Sequence, residues 1–546
     1  VPVLLVLVAL AVAAVMFAAY EAGSGPRAER ATARAYVDAW SRRDWAAMYQ
    51  LLSPGARAAM SETAFAAQLR TAAQTATVTR VSFGAPVRIR NHTATLTATV
   101  DTSSFGTLHE PAVLALDPRD SRYLDYDSQM VFPGLGAGER LTRTSTLGPR
   151  GTIDAADGTP LAEGAGRTSQ IPAVASAIVG KLGPIPAAKR SYYRNLGYPA
   201  DAQVGRYGLE LIFQRRLGGT PGGTLSAGAR MLASTAPVAG ATVRTTIDPK
   251  LEAAAIGALG GSYAGMTVLN AKTGAIEAAA GLAFSDLQPP GSTFKIITTA
   301  AALQSGAATL SSTYPEQSQT SVGGFELQNA AGEVCGGTLL EAFATSCDTV
   351  FAPLGIAVGA HTLVSTAEKF GFNQPTGIAT ALESEIPSSS EIGDDTAVGS
   401  TAIGQGKLEA STLEMADVAQ AIADGGRRAV PTFVAGARPR FVTATTRSVA
   451  AEVQEMMEAV VADPDGTGTS AAISGYHVAG KTGTAELATT AGQQNDVKDT
   501  DAWFVGYVPY SHADIVACAL FPADGYGADS AAPAVREVLE AALGLD

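Results

Sequence analysis

The chain has little sulfur and little imidazole: 3 Cys and 5 His in 546 residues. Cys335, Cys347 and Cys518 form no C-x-x-C, and no His/Cys cluster has zinc spacing. Neither a disulfide scaffold nor a metal site is expected. Basic residues are also in the minority, 38 Lys and Arg against 51 Asp and Glu, a net charge of −13. That argues against a nucleic-acid partner, because phosphate backbones are held by concentrated Lys and Arg. What the chain does have is length and apolar content. At 46% hydrophobic residues it can fill several cores and is too long for one.

Its one long uncharged run is VPVLLVLVALAVAAVMFAAY, residues 1–20. The run is long enough to span a bilayer as a helix, so residues 1–22 are expected to be a single-pass membrane anchor, with cleavage near Ala18 or Ala22 as the alternative. Arg27, Arg30 and Arg34 follow it and, taken alone, argue against export of what comes next. Residues 28–145 read as helices around Tyr36, Trp40, Trp45 and Met48, followed by period-two segments over 75–83, 86–100 and 108–116. They predict a small α+β domain. Residues 146–240 are rich in Gly, Pro and Ala and carry a D-G hairpin signal at Asp157-Gly158; they are expected to be a linker or pedestal. From 241 to 546, a helix, a strand pair, a helix-rich stretch, three strands and a last helix predict one layered α/β domain of about 300 residues.

Three stretches of that last domain carry reactive side chains. PPGSTFKIITTAAAL, residues 289–303, places Ser292 and Lys295 three apart on one face of an expected helix. A serine hydroxyl needs a base before it attacks, and a desolvated lysine of lowered pKa can be that base. A helix start also directs free N–H groups toward an attacked carbonyl. Alone this proves little, since a chain of this length gives about one S-x-x-K by chance. ATSCDTVF, residues 344–351, sets Ser346 and Asp348 at another expected helix start. There they can serve as a proton relay and its neighbour or simply as helix caps. AGKTGTAE, residues 479–486, reads as a lean strand. Gly480 and Gly483 let a ligand backbone lie against it, Lys481 suits a carboxylate, and Thr482 and Thr484 offer hydroxyls. The N–H groups of Thr484 and Ser292 can form an oxyanion hole. The same K-T-G occurs at Lys272-Thr273-Gly274, where it reads as a hairpin turn, so the tripeptide alone decides nothing.

Together the motifs are specific. S-x-x-K, S-x-polar 54 residues on, and K-T-G-T 189 residues after Ser292 resemble the penicillin-binding protein and serine β-lactamase group. PPGSTFK, the G-Q-G at Gly404-Gln405-Gly406, AWFVGYVP after Asp501, RGTIDAADGTPLA and GLELIFQRRLGG resemble class B penicillin-binding proteins, the monofunctional transpeptidases. The first domain resembles an NTF2-like domain. The resemblance implies an α+β multidomain chain: an NTF2-like domain, a pedestal, and a transpeptidase domain with an antiparallel sheet between helical layers. It implies Ser292 as the acylated nucleophile, Lys295 as its base and Ser346 as the relay. Asp348 stands where Asn is usual, and Lys481, Thr482, Gly483 and Thr484 form the substrate-binding strand. Expected partners are peptidoglycan stem peptides or lipid-linked precursor glycan, β-lactams, and a glycosyltransferase of the cell-wall machinery. No metal or cofactor is implied, and the catalytic domain is expected outside the cell membrane.

A serine β-lactamase shares the three motifs, although it rarely needs an anchor, an extra α+β domain and a long linker. A scaffold that keeps the fold without the reaction is the third reading, against which the intact motif set stands. Cys335 lies twelve residues from Cys347, so an exported location permits a bridge between them, and Cys518 is expected to be a buried thiol. Asp348 is expected to pair with a cleft lysine and, if that is Lys295, to raise its pKa; Lys481 is expected to oppose this.

Overall fold

A computed structural model describes residues 25–84, 88–486, 500–509 and 514–545. The expected anchor at 1–22 lies outside the described residues. Among these, no single helix is long and apolar enough to cross a membrane. The chain divides into two compact units: 1–151 with 183–204 and 215–241, and 152–182 with 205–214 and 242–546.

In the first unit residues 25–41 are helical, followed by Trp45–Gln50, Pro54–Ala59 and Glu62–Thr75. Each of the last three is capped at its start: Asp44, Ser53 and Ser61 accept the N–H three residues on. These helices bury Tyr36, Trp40, Met48 and Phe65 together with Leu96, Val100 and Leu114. The last three lie on an antiparallel sheet ordered Val78–Phe83, Thr93–Thr102, Gly106–Leu116, Leu124–Asp125, with Arg88–Arg90 also paired to Thr93–Thr102.

Residues 146–240, read from the sequence as one pedestal, are divided between the units, and strand pairing explains the division. Gly222–Ala227 pairs with Leu141–Thr146 in the first unit. Ile153–Asp154 pairs with Pro160–Ala162 around the expected Asp157-Gly158 turn and lies parallel to Val243–Arg244 in the second. A buried ion pair, Arg167 Nε to Glu210 Oε1 at 2.6 Å, is also internal to the second unit.

The second unit is built on a five-stranded antiparallel sheet: β1 Gly265–Asn270, β2 Ile276–Gly281, β3 Ala479–Glu486, β4 Thr500–Tyr507 and β5 Ile515–Phe521. The order is β2-β1-β5-β4-β3, which leaves β3, the K-T-G-T strand, at one edge. Helices α1 (Pro249–Leu259) and α6 (Ala531–Leu543) pack on the sheet and on each other; α4 (Thr412–Ala423) and α5 (Arg447–Ala462) also pack on it and on one another. Nearly every residue of β5 is fully buried, Cys518 included, as a strand covered on both faces requires. The stretch 291–425 is helix-rich as expected, with two exceptions. Thr313–Gln317 pairs with Cys335–Thr338, and Gln319–Val322 pairs with Phe325–Gln328. These four- and five-residue strands are too short to leave a periodic signal.

Candidate active site

Ser292 lies in a 3₁₀ turn, Gly291–Phe294, that leads into helix α2, Lys295–Ser305. The sequence reading put both residues in one α-helix. In the tighter 3₁₀ turn residues i and i+3 eclipse, which stacks Ser292 over Lys295 more directly. The turn is held by its neighbours. Gly291 has φ +51°, its N–H donates to Gly404 O at 3.0 Å, and an added Cβ would lie 2.8 Å from Thr484 O. A Cβ on Gly404 would lie 1.9 Å from Gly291 O. The G-Q-G loop and β3 therefore grip the residue before the serine, and only glycine fits at both contact points. Ser292 itself is half-buried, and its hydroxyl has no hydrogen-bond partner among the described residues, as is common before substrate tightens such a site.

Ser346 is not in a helix. Helix Leu339–Ala344 ends in a Schellman motif: Ser346 N donates to Phe343 O at 3.1 Å and Cys347 N to Ala342 O at 2.8 Å. Ser346 occupies the left-handed position at φ +59°, which normally belongs to glycine. Helix α3, Asp348–Val358, begins two residues later with Asp348 in its first turn, where the helix dipole favours a carboxylate. Cys347 is fully buried and bonded to Cys335, the pairing that the sequence permitted.

Four of the expected residues meet at Ser346. Lys295 Nζ donates to Ser346 O at 2.7 Å and to Asp348 Oδ1 at 2.6 Å, with Ser346 Oγ at 3.3 Å. Lys481 Nζ donates to Ser346 Oγ at 2.8 Å and to Thr482 O at 3.0 Å. Both lysines are fully buried. Burial pushes the pKa of Lys295 down, and the Asp348 carboxylate opposes this without overcoming it. Lys481 is pushed well down, first by burial and then by the Lys295 charge, with Asp348 again opposing. Asp348 thus pairs with a cleft lysine as expected, but the expected rise in Lys295 pKa gives way to desolvation. The two ammonium groups also face aromatic rings: Lys295 Nζ is 5.4 Å from the Phe351 centroid and Lys481 Nζ 5.6 Å from that of Phe343. The ring faces offset part of the desolvation.

On β3, Thr484 is half-buried, while the Thr482 hydroxyl is taken up by Thr467 Oγ1 at 2.6 Å. Gly483 is a packing residue: a Cβ there would lie 2.7 Å from Pro290 O and 2.9 Å from the Trp503 Cβ. Sequence reasoning missed Thr467, the aromatic pair and Asn329. Asn329 is buried, accepts from Thr349 N at 2.9 Å and donates to Gln317 O and Glu333 O. It ties the start of α3 to the small sheets. A lone Asn in a polar stretch carries no signal for this.

The comparisons with known proteins match the part of the chain that holds Ser292, the two buried lysines and Ser346. The model of the penicillin binding protein transpeptidase domain matches residues 264–540. The chain belongs to the penicillin-binding protein transpeptidase family. Peptidoglycan D,D-transpeptidase PbpA of Mycobacterium tuberculosis is 36% identical over 287 residues, which are 48% of this chain and 56% of that protein. Penicillin-binding protein 3 of Bacillus subtilis is 27% identical over 244 residues, 43% of this chain and 36% of that protein. The chain spans about half the length of the curated relatives it matches first. Among solved structures, the D,D-transpeptidase domain of a peptidoglycan glycosyltransferase from Eggerthella lenta is 28% identical, with a TM-score of 0.58 over 73% of this chain and 99% of that one. Penicillin binding protein 3 of Mycobacterium tuberculosis, at 23% identity and a TM-score of 0.60 over 72% of this chain and 96% of that one, shares the fold. Family and fold thus match those of peptidoglycan D,D-transpeptidases.

Proposed function

We propose that this penicillin-binding protein is a class B peptidoglycan D,D-transpeptidase that works through an acyl-enzyme on Ser292. The observation that carries the reading is Ser346 Oγ within hydrogen-bond reach of both buried lysines, 295 and 481. Lys295 must give N–H groups to Ser346 O and Asp348 Oδ1, neither of which can donate. Its neutral form has two such hydrogens and one lone pair, so both bonds persist while the lone pair takes the Ser292 proton. Ser292 Oγ then attacks the carbonyl of a D-Ala-D-Ala bond, and the N–H groups of Ser292 and Thr484 hold the oxyanion. Ser346 passes a proton to the departing D-Ala nitrogen and is reprotonated from the lysines. An amine of a neighbouring stem peptide attacks the ester, a new amide forms and Ser292 leaves with a proton. Lys481, Thr482 and Thr484 bind the donor's terminal carboxylate, with Gly483 keeping β3 close to the nucleophile turn. β-Lactams acylate Ser292 along the same path.

The class B assignment rests on the flanking motifs. An NTF2-like origin of the first unit is proposed from its helices packed on an antiparallel sheet. Membrane anchoring with the catalytic unit outside the cell, lipid-linked precursor as a source of donor and a glycosyltransferase partner belong to the same proposal; the Cys335–Cys347 bridge, which suits an oxidising compartment, supports it. The reaction is tested with a synthetic stem pentapeptide and an amine acceptor. Release of D-Ala with formation of the cross-linked product is expected. Hydrolysis of penicillin with rapid turnover and no action on the peptide would favour the β-lactamase reading instead.

A further inference from the structure

The first unit carries charge of the opposite sign to the rest of the chain. Residues 1–151, 183–204 and 215–241 hold 21 Lys and Arg against 13 Asp and Glu, a net of +8; since the whole chain is −13, the second unit holds −21. Part of that positive charge gathers at a cavity of about 330 Å³ lined by Arg43, Trp45, Arg70, Gln74, Asn195 and Leu196 among others, with no carboxylate in its wall.

The guanidinium groups there are held by carbonyls rather than by acids. Arg43 Nη2 donates to Val78 O at 3.0 Å and Thr79 O at 2.9 Å. Arg143, half-buried, donates to the carbonyl of the lining Gln74 at 3.2 Å and to Arg194 O, next to the lining Asn195, at 3.3 Å. Burial and the Arg194 charge both lower the pKa of Arg143. Arg70 and Arg194 are exposed. The carboxylate nearest in sequence, Asp44, caps the following helix through Ala47 N. None of the four arginines makes an ion pair among the described residues. Like charges gathered without a counter-ion repel each other until an anion is shared among them. A guanidinium has five N–H groups, so one or two bonds to carbonyls fix its plane and leave donors for an oxyanion. Two such forks in the wall, Arg43 and Arg70, with two more guanidinium charges close behind, suit a tetrahedral, multiply accepting and multiply charged group better than a single carboxylate.

We propose that this cavity of the first unit binds a phosphate group, as a phosphomonoester or phosphodiester, through the lining Arg43 and Arg70, with Arg143 and Arg194 adding positive charge from behind the lining Gln74 and beside the lining Asn195. The site stands independently of the transpeptidase reading. Its phosphate can come from an anionic phospholipid headgroup or from a soluble phosphate compound, and the experiment separates these.

The full chain is placed in phosphatidylcholine nanodiscs, with and without phosphatidylglycerol, and separately exposed to inorganic pyrophosphate in the phosphatidylcholine discs. Amide hydrogen exchange is followed over residues 73–79 and 194–196. Protection by pyrophosphate alone supports the site with a soluble source; protection in phosphatidylglycerol discs supports it with a lipid source. The variant Arg70→Gln/Arg194→Gln removes two exposed side chains that make no hydrogen bonds among the described residues, so it is expected to fold. It should weaken pyrophosphate affinity or phosphatidylglycerol-dependent protection by about tenfold or more. Arg88→Gln/Arg90→Gln, on a strand of the same unit that does not line the cavity, should leave both unchanged. No protection under any condition overturns the proposal. So does an equal loss in the two variants, which would mean net charge rather than a site.

Discussion

Replacing Ser346 by glycine and, in parallel, by alanine separates the two consequences of having serine at that position. Both changes remove Oγ, the acceptor of hydrogen bonds from Lys481 Nζ at 2.8 Å and Lys295 Nζ at 3.3 Å. Only glycine also removes the Cβ, which φ +59° places in left-handed backbone. That conformation costs an L-residue about 1–2 kcal/mol. Against it, glycine's freer unfolded chain costs about 0.4–1 kcal/mol. The difference leaves Ser346→Gly more stable than Ser346→Ala by roughly 0.5–1 kcal/mol. At an ordinary helical position the sign is reversed, so the sign alone is diagnostic. Denaturant midpoints of the two variants at equal m-value give the stability difference, and penicillin acylation rates give the function. Both variants should lose acylation to a similar degree while the glycine variant has the higher midpoint. A lower midpoint for glycine than for alanine would refute the strained Schellman position, and wild-type acylation in either would refute the relay.

Three further outcomes follow from the same geometry. Asp348→Asn removes the charge that holds the Lys295 pKa up. Neutral lysine then persists to lower pH, so the acid limb of the acylation rate should move to lower pH; an unmoved limb would show that the ion pair does not tune the base. In α4, burial raises Glu414 to about 8, with the Asp417 charge adding to it, and burial raises Asp417 to about 7 against the opposing Arg428, bonded to Asp417 at 2.9 Å. The folded state therefore binds more protons than the unfolded state above their ordinary carboxylate range, and stability falls as pH rises from about 5 to about 8; Glu414→Gln should flatten that slope in thermal melts, and an unchanged slope would count against it. Thiol titration of the unfolded, unreduced protein should find one thiol, Cys518, of the three cysteines; a count of three would remove the bridge beside Ser346.

The sequence made the site legible where residue chemistry and spacing coincide. Lys295, the Ser346–Asp348 stretch and Lys481 lie far apart along the chain, and the structure brings them into one hydrogen-bonded cluster. The layered sheet was legible too, because strands such as β1 and β5 are largely apolar runs of six and seven residues and β3 carries the lean K-T-G-T stretch. Long-range placements were not. Nothing local says that Thr467 meets Thr482, that Phe343 and Phe351 face the lysines, or that Gly404 holds Gly291. The left-handed backbone of Ser346 escaped notice because serine is a poor residue for it; a catalytic hydroxyl at a glycine position has no propensity signal. The division of 146–240 was hidden because each half is assigned by strands outside it.

The central claim is that Ser292 is the acylated residue. Intact-protein mass measurement after incubation with benzylpenicillin, followed by peptide mapping, tests it most directly. A stable adduct of one penicillin on the peptide containing Ser292, absent from Ser292→Ala, is the predicted result. No adduct on the wild type, or the same adduct on Ser292→Ala, would contradict it.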